Sequence, residues 1–156
     1  MEIRLANTAD VESIAALNVD VQNVHAAALP HIFKAVSDGA FARAYVQEQM
    51  ADPDSHFFIA SLDGEYVGYV YARVVRRPEN AYMHPWEFVY IDQISVKPDH
   101  QSKGCGTLLV KAVCDLAKQH GIETIALDFW AFNEKARAFF ARQGFVTFNE
   151  RAWIQP

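Results

Sequence analysis

Apolar residues alternate with polar ones along some stretches of this chain and recur every three to four positions along others; the two periods separate strands from helices. Glu2–Ala6 reads as a short strand. Thr8-Ala9-Asp10 then supplies a helix cap, and Val11, Ile14, Leu17, Val21 and Val24 fall near one stripe of a helix that runs to about Ala28, where Leu29-Pro30 breaks it. Ser37-Asp38 opens a second helix to about Met50, and Pro53 interrupts. His56–Leu62 and Glu65–Arg77 are strands joined by Asp63-Gly64, a hairpin turn dipeptide. After a polar, aromatic loop over Pro78–Pro85, a strand is predicted at Trp86–Val96. A helix follows at Gly104–His120, with Leu108, Leu109, Ala112, Val113 and Leu116 inward, then a strand at Ile122–Trp130, a helix at Asn133–Gln143 and a last strand at Phe145–Trp153. No linker, repeat or low-complexity segment interrupts this order, so one domain over 1–156 is expected.

The richest stretch is Val96 to Leu109, where an apolar strand passes through a turn and a loop into a helix. Such a loop aims several backbone N–H groups at one point, and the helix dipole adds to their pull on an anion. Gly104 and Gly106 leave no Cβ between backbone and anion, and Lys103 offers a charge. The loop has neither the spacing of a P-loop nor the three glycines of a dinucleotide fingerprint. Further on, Asn133 can cap a helix, Ala136, Phe139 and Phe140 share a face of it, and Gly144 stands where glycine ends a helix.

Gln101-Ser102-Lys103-Gly104-Cys105-Gly106 has the pattern Gln-x-x-Gly-x-Gly and resembles the acyl-CoA pyrophosphate loop of the GNAT superfamily of N-acetyltransferases. Asn133 to Phe145, with Asn-x-x-Ala, an aromatic pair and Gly-Phe, resembles the last helix of that superfamily, and the element order matches along nearly the whole chain. The resemblance implies an α/β (α+β) fold, a mixed and mostly antiparallel sheet flanked by helices. It implies acetyl-CoA as cofactor and direct acetyl transfer to a primary amine of a small molecule or peptide. It places the pyrophosphate on Gln101, Ser102, Lys103, Gly104, Cys105, Gly106 and Thr107, and the pantetheine arm along Ile94, Ser95 and Val96 and against Asn133, Ala136, Phe139 and Phe140. The backbone N–H near Ile94 becomes the donor to the thioester oxygen, and a bulge is expected to splay this strand from the next.

Two positions depart from the family pattern. Phe140 stands where a Tyr usually protonates the leaving thiolate, and a phenyl ring has no proton to give; such assistance is typically worth roughly 10²–10⁴-fold. Gln101 stands where Arg is usual, which removes one charge contact. Tyr90 is a candidate replacement acid. Asp92, which interrupts an apolar strand, is the candidate general base, with a plain strand carboxylate equally open. His25, Tyr82 and Trp86 are candidate acceptor contacts, with a water-facing His25 the competing reading; Glu87 is a weaker base candidate, and His84 and His100 read as surface residues. A second function class, a non-catalytic acyl-CoA-binding or regulatory module, rests on Phe140 and Gln101.

Composition narrows partners rather than chemistry. Fourteen basic residues against 19 acidic ones give a net charge of −5, with no basic run, which argues against nucleic acid as the main partner and suits an amine. Cys105 and Cys114 lie about 13 Å apart along one helix and half a turn out of phase, so they cannot pair, and no metal-ligand spacing is present. With no apolar leader or long apolar run, a cytoplasmic protein off the membrane is expected, and a homodimer using the Phe145–Trp153 edge fits the resemblance.

Overall fold

The computed structural model describes residues 1–154. The elements are β1 (Glu2–Leu5), α1 (Val11–Ala28), α2 (Ala40–Met50), β2 (Ser55–Leu62), β3 (Glu65–Arg77), β4 (Trp86–Val96), α3 (Cys105–Gln119), β5 (Ile125–Leu127) and α4 (Glu134–Arg142). Among the described residues the strands form one sheet in the order β1-β2-β3-β4-β5; the first three pairings are antiparallel and β4–β5 is parallel. The expected mixed, mostly antiparallel sheet flanked by helices is therefore present.

Strand alternation divides the core in two. Phe57, Ile59, Tyr69 and Tyr71 face α1 and α2 and pack with Val11, Ile14, Leu17 and Val46. Val70, Ala72, Val74, Val89 and Ile91 face α3 and pack with Cys105, Leu109, Val113 and Leu116. The β2–β3 turn is as expected: Asp63 and Gly64 both take positive φ, 52° and 84°, which a tight right-twisted hairpin requires.

Four expectations are corrected. The α1 stripe is buried only in part: Val11, Ile14 and Leu17 lie in the core, Val24 is 53% exposed, and Ala26 is the buried residue near the helix end. On α3, Leu108 turns outward and Cys105, Val110 and Ala117 fill the inner face instead. β5 is only three residues long: Ile122 closes the end of α3, its N–H bonded to Ala117 (2.9 Å), and ladder pairing stops after Leu127. Phe145–Trp153 forms no strand; Val146 and Phe148 are 84% and 70% exposed, and the segment has no ladder partner among the described residues.

Candidate active site

The site is built on a flaw in the ladder. β3 and β4 pair regularly up to Tyr71 opposite Gln93, but the next pair is Ala72 opposite Ile91, so Asp92 bulges out unpaired. On its other edge β4 meets β5 only at Val89–Ile91. Beyond the bulge the two strands part, and β4 from Asp92 to Val96 presents a backbone edge that β5 does not cover. The three predicted pantetheine contacts, Ile94, Ser95 and Val96, lie on this stretch. Ser95 Oγ donates to the Leu17 carbonyl (3.1 Å), tying β4 to α1 and leaving its main chain as the group on offer.

At the end of β4 the chain turns through Pro98–His100 into the glycine loop. Ser102 (φ 59°) and Gly104 (φ 88°) take left-handed conformations that bend the loop back over the start of α3. The first amide that the helix takes up is that of Leu108, bonded to the Gly104 carbonyl (3.1 Å). The N–H groups of Cys105, Gly106 and Thr107 precede that first bond and have no helical acceptor. An anion cradle of this kind fits a pyrophosphate. Lys103 is exposed beside it, whereas the Gln101 amide donates to the Val96 carbonyl (3.0 Å) and staples loop to strand. The Cys105 thiol is buried, which pushes its pKa up, so this residue offers its backbone and not a nucleophile.

α4 closes the other side. The Asn133 carbonyl oxygen accepts the Ala136 N–H (3.0 Å), capping the helix and leaving the amide NH₂ for a ligand. A Cβ on Gly106 would stand 3.0 Å from the Phe139 ring, so this glycine is required by the contact between α3 and α4. Gln143 binds Thr107 (3.2 Å) beside it. Phe140 is 4% exposed and packs against Phe129, Phe139 and Phe145, a core ring.

The candidate catalytic residues stand on the α1/α2 face at the point of divergence. One oxygen of Asp92 accepts the Arg73 Nε–H of the neighbouring strand in a salt bridge, which raises the Arg73 pKa. Tyr90 lies under the Arg73 guanidinium (5.7 Å from the ring centroid) and donates its hydroxyl to Asp128 (2.8 Å). Burial first, then the Asp128 carboxylate, pushes the Tyr90 pKa well above a free phenol, so the hydroxyl stays protonated. Next along β4, Gln93 accepts from the Tyr69 hydroxyl (2.8 Å) and from Asn18 of α1 (3.2 Å).

Arg73, Asp128 and the Asn18–Tyr69–Gln93 group escape sequence reasoning. The only trace of Asp128 is alternation: it falls two residues after Ala126, which pairs with Tyr90. The proposed acceptor contacts lie in different settings. His25 is half-buried between Phe33 and Phe132 (5.1 and 5.7 Å), with Nδ1 2.7 Å from the Val21 carbonyl. Tyr82 is 96% exposed on the β3–β4 loop. Trp86 packs on Phe88, six residues and roughly 20 Å along the strand from Asp92. Glu87 is exposed beside Arg76.

A family model described as the acetyltransferase (GNAT) family matches residues 19–145. An uncharacterized N-acetyltransferase of Bacillus subtilis, YhfO, is 26% identical over 145 residues, covering 93% of this chain and 89% of the relative. The L-2,4-diaminobutyric acid acetyltransferase of Nocardia farcinica is 29% identical over 83 residues, 53% of this chain and 39% of that protein. Among solved structures, a tetramutant of the BH1408 protein from Bacillus halodurans superposes with a TM-score of 0.94 at 23% identity, all of both chains covered. The aminoglycoside N-acetyltransferase AAC(6')-Iy, solved with CoA, superposes with a TM-score of 0.79 at 19% identity, covering 99% of this chain and 93% of that one.

Proposed function

Because the chain belongs to the acetyltransferase (GNAT) family and is an acetyl-CoA-dependent N-acetyltransferase, we propose that it carries the acetyl group directly to a primary amine of a small molecule or peptide, at the divergence of β4 and β5, within one catalytic domain over 1–156. The observation that carries this reading is the uncovered edge of β4 past the Asp92 bulge, which runs into the three unpaired amides at the start of α3. The chemistry that acetyl-CoA supplies is an activated thioester. The chain's own part begins with binding: Cys105, Gly106 and Thr107 hold pyrophosphate through their amides, Lys103 adds charge, and Gln101 and Ser102 shape the loop. Ile94, Ser95 and Val96 take the pantetheine arm as an adjacent strand, with Asn133 and the Ala136–Phe139 face opposite.

The Ile94 N–H is the donor to the thioester oxygen. Asp92 receives the amine proton through its second oxygen, directly or through water. Phe140, turned into the core, has no proton to give, and the Tyr90 hydroxyl keeps its proton in a hydrogen bond to Asp128; we assign the thiolate's proton to solvent. Two observations support further features. Cys105 and Cys114 are both free thiols, in keeping with the cytoplasm. The exposed Val146, Phe148, Trp153 and Ile154, in a segment with no ladder partner among the described residues, favour a homodimer in which this segment meets a second copy.

The test is coenzyme A release from acetyl-CoA against polyamines, aminoglycosides, diamino acids, free amino acids and peptide N-termini. Turnover with one class supports the reading and names the acceptor. Asp92→Ala should lower the rate at near-neutral pH; activity unchanged across pH would remove Asp92 as base. Acetyl-CoA binding without turnover of any amine would shift the reading to an acyl-CoA-binding regulatory module.

A further inference from the structure

The Tyr90–Asp128 bridge crosses the apex of the V between β4 and β5. Tyr90 pairs with Ala126 two residues before the bulged Asp92, and Asp128, two residues after Ala126, shares that face. Its carboxylate accepts the Tyr90 hydroxyl at 2.8 Å and is otherwise exposed. What sets it apart is the nature of its partner. The other carboxylates that bond side chains across this sheet and its helices meet a cation: Asp10 meets Arg4, Asp92 meets Arg73, Asp54 meets Arg76, Glu65 meets Lys97. Asp128 meets a neutral phenol. Arg73 lies over the Tyr90 ring and is held by Asp92. The three ionised groups around Tyr90 therefore sum to one negative charge, and that charge belongs to Asp128.

We propose that Asp128 selects acceptors that carry a second cationic nitrogen besides the one acetylated. The inference rests on the acetyl-transfer reading above and adds the acceptor's charge pattern. An ammonium paired with a carboxylate stays protonated and has no lone pair for attack, so the nitrogen that Asp128 binds is not the one that reacts. The Tyr90 hydroxyl occupies one carboxylate oxygen and fixes the group's orientation; the other is left for the cation. A charge-assisted hydrogen bond of this kind is among the stronger polar contacts available to a small ligand.

The experiment compares matched acceptors, 1,4-diaminobutane with butylamine and 2,4-diaminobutyrate with 2-aminobutyrate, on the full chain and on its Asp128→Asn and Tyr90→Phe variants. The expected result is a kcat/KM at least tenfold higher for a diamine than for its monoamine partner, expressed mainly in KM. In Asp128→Asn that ratio falls to about one, and in Tyr90→Phe it falls part of the way. Acetyl-CoA affinity and the unfolding midpoint, measured on the same samples, separate this from loss of fold. A wild-type ratio near one, or a ratio that survives Asp128→Asn, overturns the inference and leaves acetyl transfer standing. So does turnover of the monoamines with none of either diamine. Failure to bind acetyl-CoA overturns the underlying reading itself.

Discussion

Gly106→Ala tests the join between α3 and α4, on which the pyrophosphate loop depends. An added Cβ would lie 3.0 and 3.1 Å from Cζ and Cε2 of Phe139. Comfortable carbon contacts begin near 3.5 Å, so the ring or the helix must retreat by about 0.5 Å. Overpacking of this order costs about 1–3 kcal/mol. Alanine in place of glycine within a helix returns roughly 0.5–1 kcal/mol. The single variant should therefore be destabilised by up to about 2.5 kcal/mol. In a Phe139→Ala background the collision vanishes and the same change should become neutral or stabilising, giving a coupling of about 1–3 kcal/mol across the cycle. Gly104→Ala is the control: nothing lies within 4 Å of its Cβ, but φ is 88°. It should cost about 1–2 kcal/mol through the backbone alone, whether or not Phe139 is present. Urea unfolding reads the stabilities. Acetyl-CoA titration should show weakened binding in both glycine variants, about fivefold for each 1 kcal/mol of loop strain. Coupling under about 0.5 kcal/mol between residues 106 and 139 would refute the packing role given to Gly106.

Phe140→Tyr should not restore a general acid: its hydroxyl would enter the Phe129–Phe145 stack, cost about 1–3 kcal/mol if unsatisfied, and leave kcat unchanged, whereas a tenfold gain would show that the ring reaches the thiolate. Asn133→Asp keeps the cap on Ala136 but loses the amide donor, so acetyl-CoA binding should weaken at near-native stability; Asn133→Ala should lose both, with about 1 kcal/mol off the unfolding free energy, and equal behaviour of the two would contradict the divided role. Asp10, buried against Arg4, has its pKa pulled down to about 2, chiefly by that hydrogen bond. Because the folded value lies below the unfolded one, near 3.9, the stabilisation is full above about pH 4 and is lost as pH falls through about 2. It amounts to at most about 2 kcal/mol, since Arg4 is 38% exposed. Acid titration of Asp10→Asn should lack this part of the wild-type slope, and an unchanged slope would refute it.

The candidate site was legible in proportion to how local its parts are. The glycine loop and the Asn133 cap are written in consecutive residues, and both formed where expected because φ preferences and capping act within one turn of chain. The β2–β3 hairpin followed from Asp63-Gly64 for the same reason. Asp92 stood out as a charge inside an apolar run, but its partner Arg73 lies 19 residues away on β3, and no sequence spacing announces a cross-strand pair displaced by a bulge. His25, Tyr82 and Trp86 belong to α1, the β3–β4 loop and the start of β4, whose placement about an acceptor depends on tertiary packing that no local pattern encodes.

By itself the sequence determined the strands and helices, apart from the ends of the sheet, and the loop that receives an anion, since these depend on periodicity and on single-residue conformational limits. Tertiary structure alone decided where β4 and β5 part, that Arg73 pairs with Asp92, and that Asp128 reaches Tyr90 across 38 residues. It also decided that Phe145–Trp153 stays unpaired, although its residue pattern suits a strand. The reason is common to all four: ladder pairing and side-chain burial depend on which surfaces the rest of the chain brings alongside, and a strand without an edge to join gains no hydrogen bonds from its pattern.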